Sequence, residues 1–274
     1  MNYTPLTFAL TAMLALSACK PDPAVVAAKD AEERAETEIA AKAEAEAKLP
    51  QPDMDKPLAS YKLLEDSGSD SIFLYQAVSN MPPDFEKLAG MYSKEYREAS
   101  DSFRKQELLT ALKPQMQQHI ADAQSSPYAY IKLDYNNNLE AYDFQRKGFP
   151  VFSFGENTRK EVLGDYNSSS TLNWINKSQV AFAPIADESV AREIEGMRTK
   201  QRHNNPPRLK VYFLAQSADL NSNEINAYVT RVQIVDKSGR VLAEYGPDGS
   251  VVVKAEDEGC QGDAAVCAAA ALGL

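Results

Sequence analysis

The sequence predicts an α+β fold: a mostly antiparallel sheet with helices packed on one face, preceded by an Ala/Glu-rich helical stalk. Three observations carry this. Phe85, Leu88, Tyr92, Tyr96 and Phe103, continued by Leu109, Leu112, Met116, Ile120 and Ala123, recur at helical spacing. Ile225–Val235 and Arg240–Tyr245 flank Asp236-Lys237-Ser238-Gly239, the pattern of a β-hairpin. The order helix, hairpin, strand, then helix, strand, hairpin gives antiparallel neighbours with helices to one side.

The chain opens on an apolar run, Leu6–Leu16, interrupted by Thr7 and Thr11 and followed by Ser17-Ala18-Cys19. A membrane-spanning helix needs about 20 apolar residues, more than this run has. An apolar core before small residues reads as a signal peptide over residues 1–18. Leu16-Ser17-Ala18-Cys19 resembles a bacterial lipobox. That resemblance implies acylation of Cys19, removal of the preceding peptide, and a membrane anchor. Lys20 after the cysteine implies the outer membrane, with the protein facing the periplasm. Residues 1–18 contain no Lys or Arg, so an ordinary secretory signal is the alternative.

Residues 19–58 read as anchor, stalk and linker. Asp30–Arg34, Glu38–Lys42 and Glu44–Lys48 are acid-first i,i+4 pairs, each worth a few tenths of a kcal/mol in a helix. No wide apolar stripe accompanies them, so the expectation is a solvated helix of up to about 37 Å, or partial disorder. Pro50, Pro52 and Pro57 then read as a stiff linker.

A single domain is expected over residues 59–249, with an Ala-rich tail over 250–274. Asp84, after Pro82-Pro83, suits a helix start, and Pro114 is expected to kink or restart the second helical stripe. Tyr128–Tyr135 alternates and is followed by Asn136-Asn137-Asn138, so it reads as a hairpin with Leu139–Phe144. Val151–Phe154 and Gln179–Ala183 read as short strands. Asp187 caps a helix with Val190, Ile194 and Met197 on one face, and Leu209–Leu214 is a strand. In Ile225–Val235, Ala227 and Val229 share one parity while Val232 and Ile234 take the other. That switch implies a bulge, or a strand covered on both faces. Leu209–Tyr245 resembles the β-rich part of uncharacterised proteobacterial lipoproteins carrying a domain of unknown function, a resemblance that brings no catalytic residue.

The net charge of −10 over 274 residues argues against nucleic acid, whose binding depends on clustered Lys and Arg. With Cys19 acylated, Cys260 and Cys267 are an even pair expected to form a disulfide in the periplasm, free thiols or intermolecular pairing being the alternatives. Neither His119 nor His203 has a partner placed by sequence, and G-x-S-x-G, P-loop and H-E-x-x-H motifs are absent. Among the acids, Glu156, Glu161 and Asp165 form no evident pair. No metal and no cofactor is implied. Arg198, Lys200, Arg202, Arg208 and Lys210 make a basic stretch suited to an anionic lipid head group, or simply a soluble loop. The aromatics from Tyr128 through Tyr142 to Phe154 could line a glycan- or peptide-binding face, or pack the core. The expected function is a non-enzymatic accessory or scaffold for an envelope protein. The alternatives are a glycan- or lipid-binding module and an envelope glycan hydrolase with a carboxylate pair.

Overall fold

A computed structural model describes residues 48–64, 69–135, 138–156, 158, 161–164, 169–199 and 206–251. The signal segment, Cys19, the stalk as far as residue 47, Lys200, Arg202, His203, and the tail from residue 252 with Cys260 and Cys267 lie outside the described residues. No helix among the described residues is long and apolar enough to cross a membrane.

The architecture is α+β, with a mixed rather than mostly antiparallel sheet. The strands are β1 (Lys62–Leu63), β2 (Tyr128–Leu133), β3 (Gly148–Pro150), β4 (Glu161–Gly164), β5 (Ser169–Trp174), β6 (Phe182–Pro184), β7 (Arg208–Asp219), β8 (Glu224–Val235) and β9 (Val241–Tyr245). Seven of them form one sheet, in the order β1-β2-β7-β8-β5-β4 with β9 also on β8, and β3 pairs with β6 separately. Two contacts are parallel, β1 with β2 and β5 with β8. Both join strands distant in sequence, so no local pattern announces them.

β8 is the axis. One edge pairs with β7 throughout, while the other pairs with β5 over Glu224–Ala227 and with β9 over Val232–Val235. In the gap between β5 and β9, the buried Asn176 side chain replaces a strand. Its Oδ1 accepts from the Val229 N–H at 2.8 Å, and its Nδ2 donates to the Val229 carbonyl at 2.9 Å. A buried backbone pair left unmet would be expensive, and the amide meets both halves. The parity switch in β8 is a bulge. Tyr212 pairs with Arg231 and Phe213 with Val229, leaving Thr230 as the extra residue. Ile225, Ala227 and Val229 before it, and Val232 and Ile234 after it, therefore all reach the same core.

The helices are α1 (Asp70–Val78), α2 (Phe85–Tyr92), α3 (Lys94–Glu98), α4 (Ser102–Ser125), α5 (Lys177–Val180) and α6 (Glu188–Thr199). Asp84 caps α2 by accepting from Lys87 N–H, and Asp187 caps α6 by accepting from Ser189 and Val190 N–H. α4 runs through Pro114 without restarting. The continuous stripe from Phe85 to Phe103 is instead broken between α2, α3 and α4, and Phe103 is exposed. α1 bridges two cores: Leu74 joins the sheet's inner face, while Ile72 and Phe73 pack with Leu88, Met116 and Ile120 of the helical layer.

The hairpin expected from Tyr128–Tyr135 into Leu139–Phe144 does not form. β2 pairs with β7, and Asn138 turns inward, donating to the Leu133 carbonyl and accepting from Ser153 Oγ. Leu139 bridges Val151, and Phe152–Phe154 is a 3-10 turn rather than a strand. Gln179–Ala183 divides between α5 and β6.

Pro50–Pro57, read as a linker, is a strap hydrogen-bonded to the sheet. Gln216 Nε2 donates to the Pro50 carbonyl at 2.7 Å, Arg231 Nη2 to the Met54 carbonyl at 3.0 Å, and Asp53 N–H to Tyr128 Oη at 2.8 Å. Gln216 is itself the extra residue of a second bulge, in β7. The Thr230 hydroxyl lies 3.0 Å from Tyr61 Oη. Both bulges thus turn a polar side chain toward the 50–61 segment.

Candidate functional site

A groove of about 640 Å3 lies between α6 and the turn joining Asp143 to Gly148. That volume is within the range of small-ligand and short-peptide pockets. One wall is Tyr142, Phe144 and Lys147; Ala186, Ala191 and Gly196 leave the opposite side low. A Cβ at Gly196 would meet nothing within 4 Å, so the space above it is open.

Four local features fix the turn. Asp143 Oδ1 accepts from Gln145 and Arg146 N–H at 2.9 and 3.0 Å. Lys147 takes a left-handed backbone with φ of 54°, uncommon outside glycine. The Arg146 guanidinium lies 3.7 Å from the Phe182 ring centroid. Gly148 has no room for a Cβ, which would sit 2.2 Å from the Ala183 carbonyl oxygen. At the tip of this constrained turn, Phe144 is 84% exposed. Behind it, Tyr142 meets Phe144 and Phe149 edge to face and donates to the Ile185 carbonyl at 3.2 Å.

Charges around the groove are unequal in availability. Arg198 holds Glu195 with Nε and Nη2 at 2.8 and 2.5 Å, and this hydrogen-bonded guanidinium keeps the Glu195 carboxyl below its ordinary range. Glu188 and Arg192 pair on the surface at 3.6 Å. Lys147 forms no ion pair among the described residues and remains the groove's available cation.

The aromatic face expected from Tyr128, Tyr142 and Phe154 is not one surface. Phe154 is 2% exposed and packs on Trp174. Tyr128 lies under the strap, with Lys56 Nζ 4.5 Å from its ring centroid. Of the three, Tyr142 alone lines the groove. Phe144, a member of the same aromatic run that alternation placed on a strand, lies instead on an exposed turn, and nothing local in the sequence marks it as exposed.

The basic stretch divides as well. Arg198 faces Glu195, whereas Arg208 and Lys210 lie on β7 beside a second, smaller pocket of about 280 Å3. His119 stacks on Phe73 with ring centroids 4.8 Å apart, and its Nε2 lies 3.3 Å from Tyr92 Oη. Glu161 accepts from Tyr135 Oη at 2.8 Å. Among the described residues, no group of His, Cys, Asp and Glu is placed to hold a metal ion. Compared with family models, curated proteins and solved structures, the chain matches none.

Proposed function

We propose that this is a non-enzymatic binding module of the bacterial envelope. It is held at the outer membrane through lipid on Cys19 and seats a short segment of an envelope protein in the groove between α6 and the Asp143–Gly148 turn. The carrying observation is Phe144, an aromatic 84% exposed on a turn held by Asp143, by Arg146 on Phe182 and by the close approach at Gly148. A rigid exposed aromatic contributes contact area with little ordering entropy left to lose. An apolar side chain of the segment fits against Phe144, Ala191 and Gly196. Lys147 supplies the charge complement for a neighbouring acidic residue. Against the hydrolase alternative stands Glu195, whose pairing with Arg198 suits neither a general acid nor a free nucleophile. The lipid anchor rests on the Leu16–Cys19 spacing.

The test is crosslinking in intact cells with mass spectrometry, comparing the native chain with Cys19→Ala. Recurrent capture of one envelope protein, lost on removing the anchor, supports a tethered accessory. Equal capture in both strains removes the anchor from the account, and no recurrent capture removes the partner.

A further inference from the structure

The second pocket lies on the outer face of the sheet and shares no lining residue with the groove. In the antiparallel register, Lys132 of β2 stands directly opposite Lys210 of β7. Opposed residues project from the same face with Cβ atoms about 5 Å apart, and like charges so placed repel. Neither lysine has an ion pair among the described residues. Guarding a sheet edge explains Lys132 alone, because β7 is paired on both sides at Lys210, to Lys132 and to Gln233. Lys237, on the hairpin tip, and Arg208, two residues before Lys210, line the same concavity of about 280 Å3. The Arg208 Nε is buried without a hydrogen bond; it forms an ion pair with Asp134 Oδ1 at 3.5 Å, which leaves the three lysines unanswered among the described residues.

Of the two lining carboxylates, Asp236 is already engaged. It accepts from Ser238 N–H and Oγ and from Arg240 N–H and Nε, at 2.6 to 3.2 Å. The cations therefore exceed the carboxylates free to answer them, in a chain whose net charge is −10. Tyr130, stacked on Tyr212 with centroids 5.0 Å apart, forms the adjoining wall.

We propose that this pocket is an anion site for a phosphate-type group, held between Lys132, Lys210 and Lys237 and reached by Arg208. The group comes either from a lipid head group or from free phosphate. Such a ligand relieves the Lys132–Lys210 repulsion and offers Arg208 a hydrogen-bond acceptor beyond its ion pair with Asp134.

The full chain carrying Cys19→Ser, so that no lipid places it on a surface, is titrated with inorganic phosphate while backbone amides are followed by NMR. It is also sedimented with phosphatidylcholine vesicles, with and without phosphatidic acid. Saturable shifts centred on Lys132, Lys210 and Lys237 are expected, and Lys132→Gln with Lys210→Gln should weaken binding by about tenfold or more. This variant removes a repulsion and should melt no lower than its parent. Lys237→Gln, on an exposed turn, gives a second and milder loss. Sedimentation only with acidic vesicles, lost in the variant, assigns the head group; saturation by phosphate without sedimentation assigns free phosphate. The absence of saturable shifts, or unchanged affinity in both variants, overturns the proposal.

Discussion

The ring of Phe144 meets the ring of Tyr142 edge to face, with centroids 5.1 Å apart, and Phe144 is the outer of the two. Tyr142 is fixed from behind by Phe149 and by its hydrogen bond to the Ile185 carbonyl. A surface aromatic with nothing to do could tumble in solvent; this one is buttressed. Gly148→Ala should loosen that support, because its Cβ would sit 2.2 Å from backbone. An overpacking cost of about 1–3 kcal/mol is expected in urea unfolding. Wild-type stability in that variant would mean that the turn is less constrained than described.

Gly196 gives the opposite expectation. It lies inside α6 with open space where a Cβ would go. Gly196→Ala should raise stability by about 0.5–1 kcal/mol, the usual gain in helix propensity, read as a higher midpoint in thermal or urea unfolding. Gly196→Leu should keep that gain while filling the floor of the groove. A destabilised Gly196→Ala would show that the floor is closed.

Arg231 and Glu244 pair at 2.8 Å on the outer face, with Gln233 Nε2 donating to the other carboxylate oxygen at 2.7 Å. Glu244 is 9% exposed, and Arg231 also donates to the Met54 carbonyl of the strap. Arg231→Met leaves a nearly buried carboxylate with one amide donor, at an expected cost of about 3 kcal/mol. Replacing both partners by apolar residues should recover much of that loss, as a double-mutant cycle in urea would show. Limited proteolysis should cut Pro50–Pro57 faster in the single variant. An unchanged cleavage rate would detach the strap from this pair.

Much of the frame was legible in the sequence. The β8–β9 hairpin announced itself through Asp236-Lys237-Ser238-Gly239, with Gly239 at φ of 90°, and the Thr230 bulge through the parity of Ala227, Val229, Val232 and Ile234. Asp84 and Asp187 marked their helices because capping is local chemistry. What escaped depends on distance or on two-sided burial. α1 buries Ile72, Phe73, Leu74 and Ala77, so no single polar face betrays a helix. The prolines of the strap look like those of a linker until Gln216 and Arg231 bond to the backbone between them. Lys132 and Lys210 meet only through a pairing between strands distant in sequence. Nothing local distinguishes Phe144 from the core aromatics around it.

Acid should weaken the protein in a definable window. Hydrogen bonds from Arg198 lower the Glu195 pKa in the folded chain, so this carboxylate adds stability that is complete above its ordinary pKa, about 4.3. That contribution fades as pH falls through the lower, folded value. Asp236 acts in the same sense: burial opposes its ionisation, but donors from Ser238 and Arg240 outweigh it. Melting temperature followed from neutral pH downward should fall less steeply for Glu195→Gln than for the wild type. Parallel curves would assign the acid loss elsewhere.

The groove is tested most directly by a photo-crosslinking side chain at position 144, irradiated in intact cells. Phe103 is a matched control, 80% exposed but outside the groove. The expected result is a recurrent adduct with one envelope protein from position 144, absent from position 103 and abolished by Gly196→Leu. The same adducts from both positions, or an adduct that survives the filled groove, would contradict the assignment of this groove as the binding site.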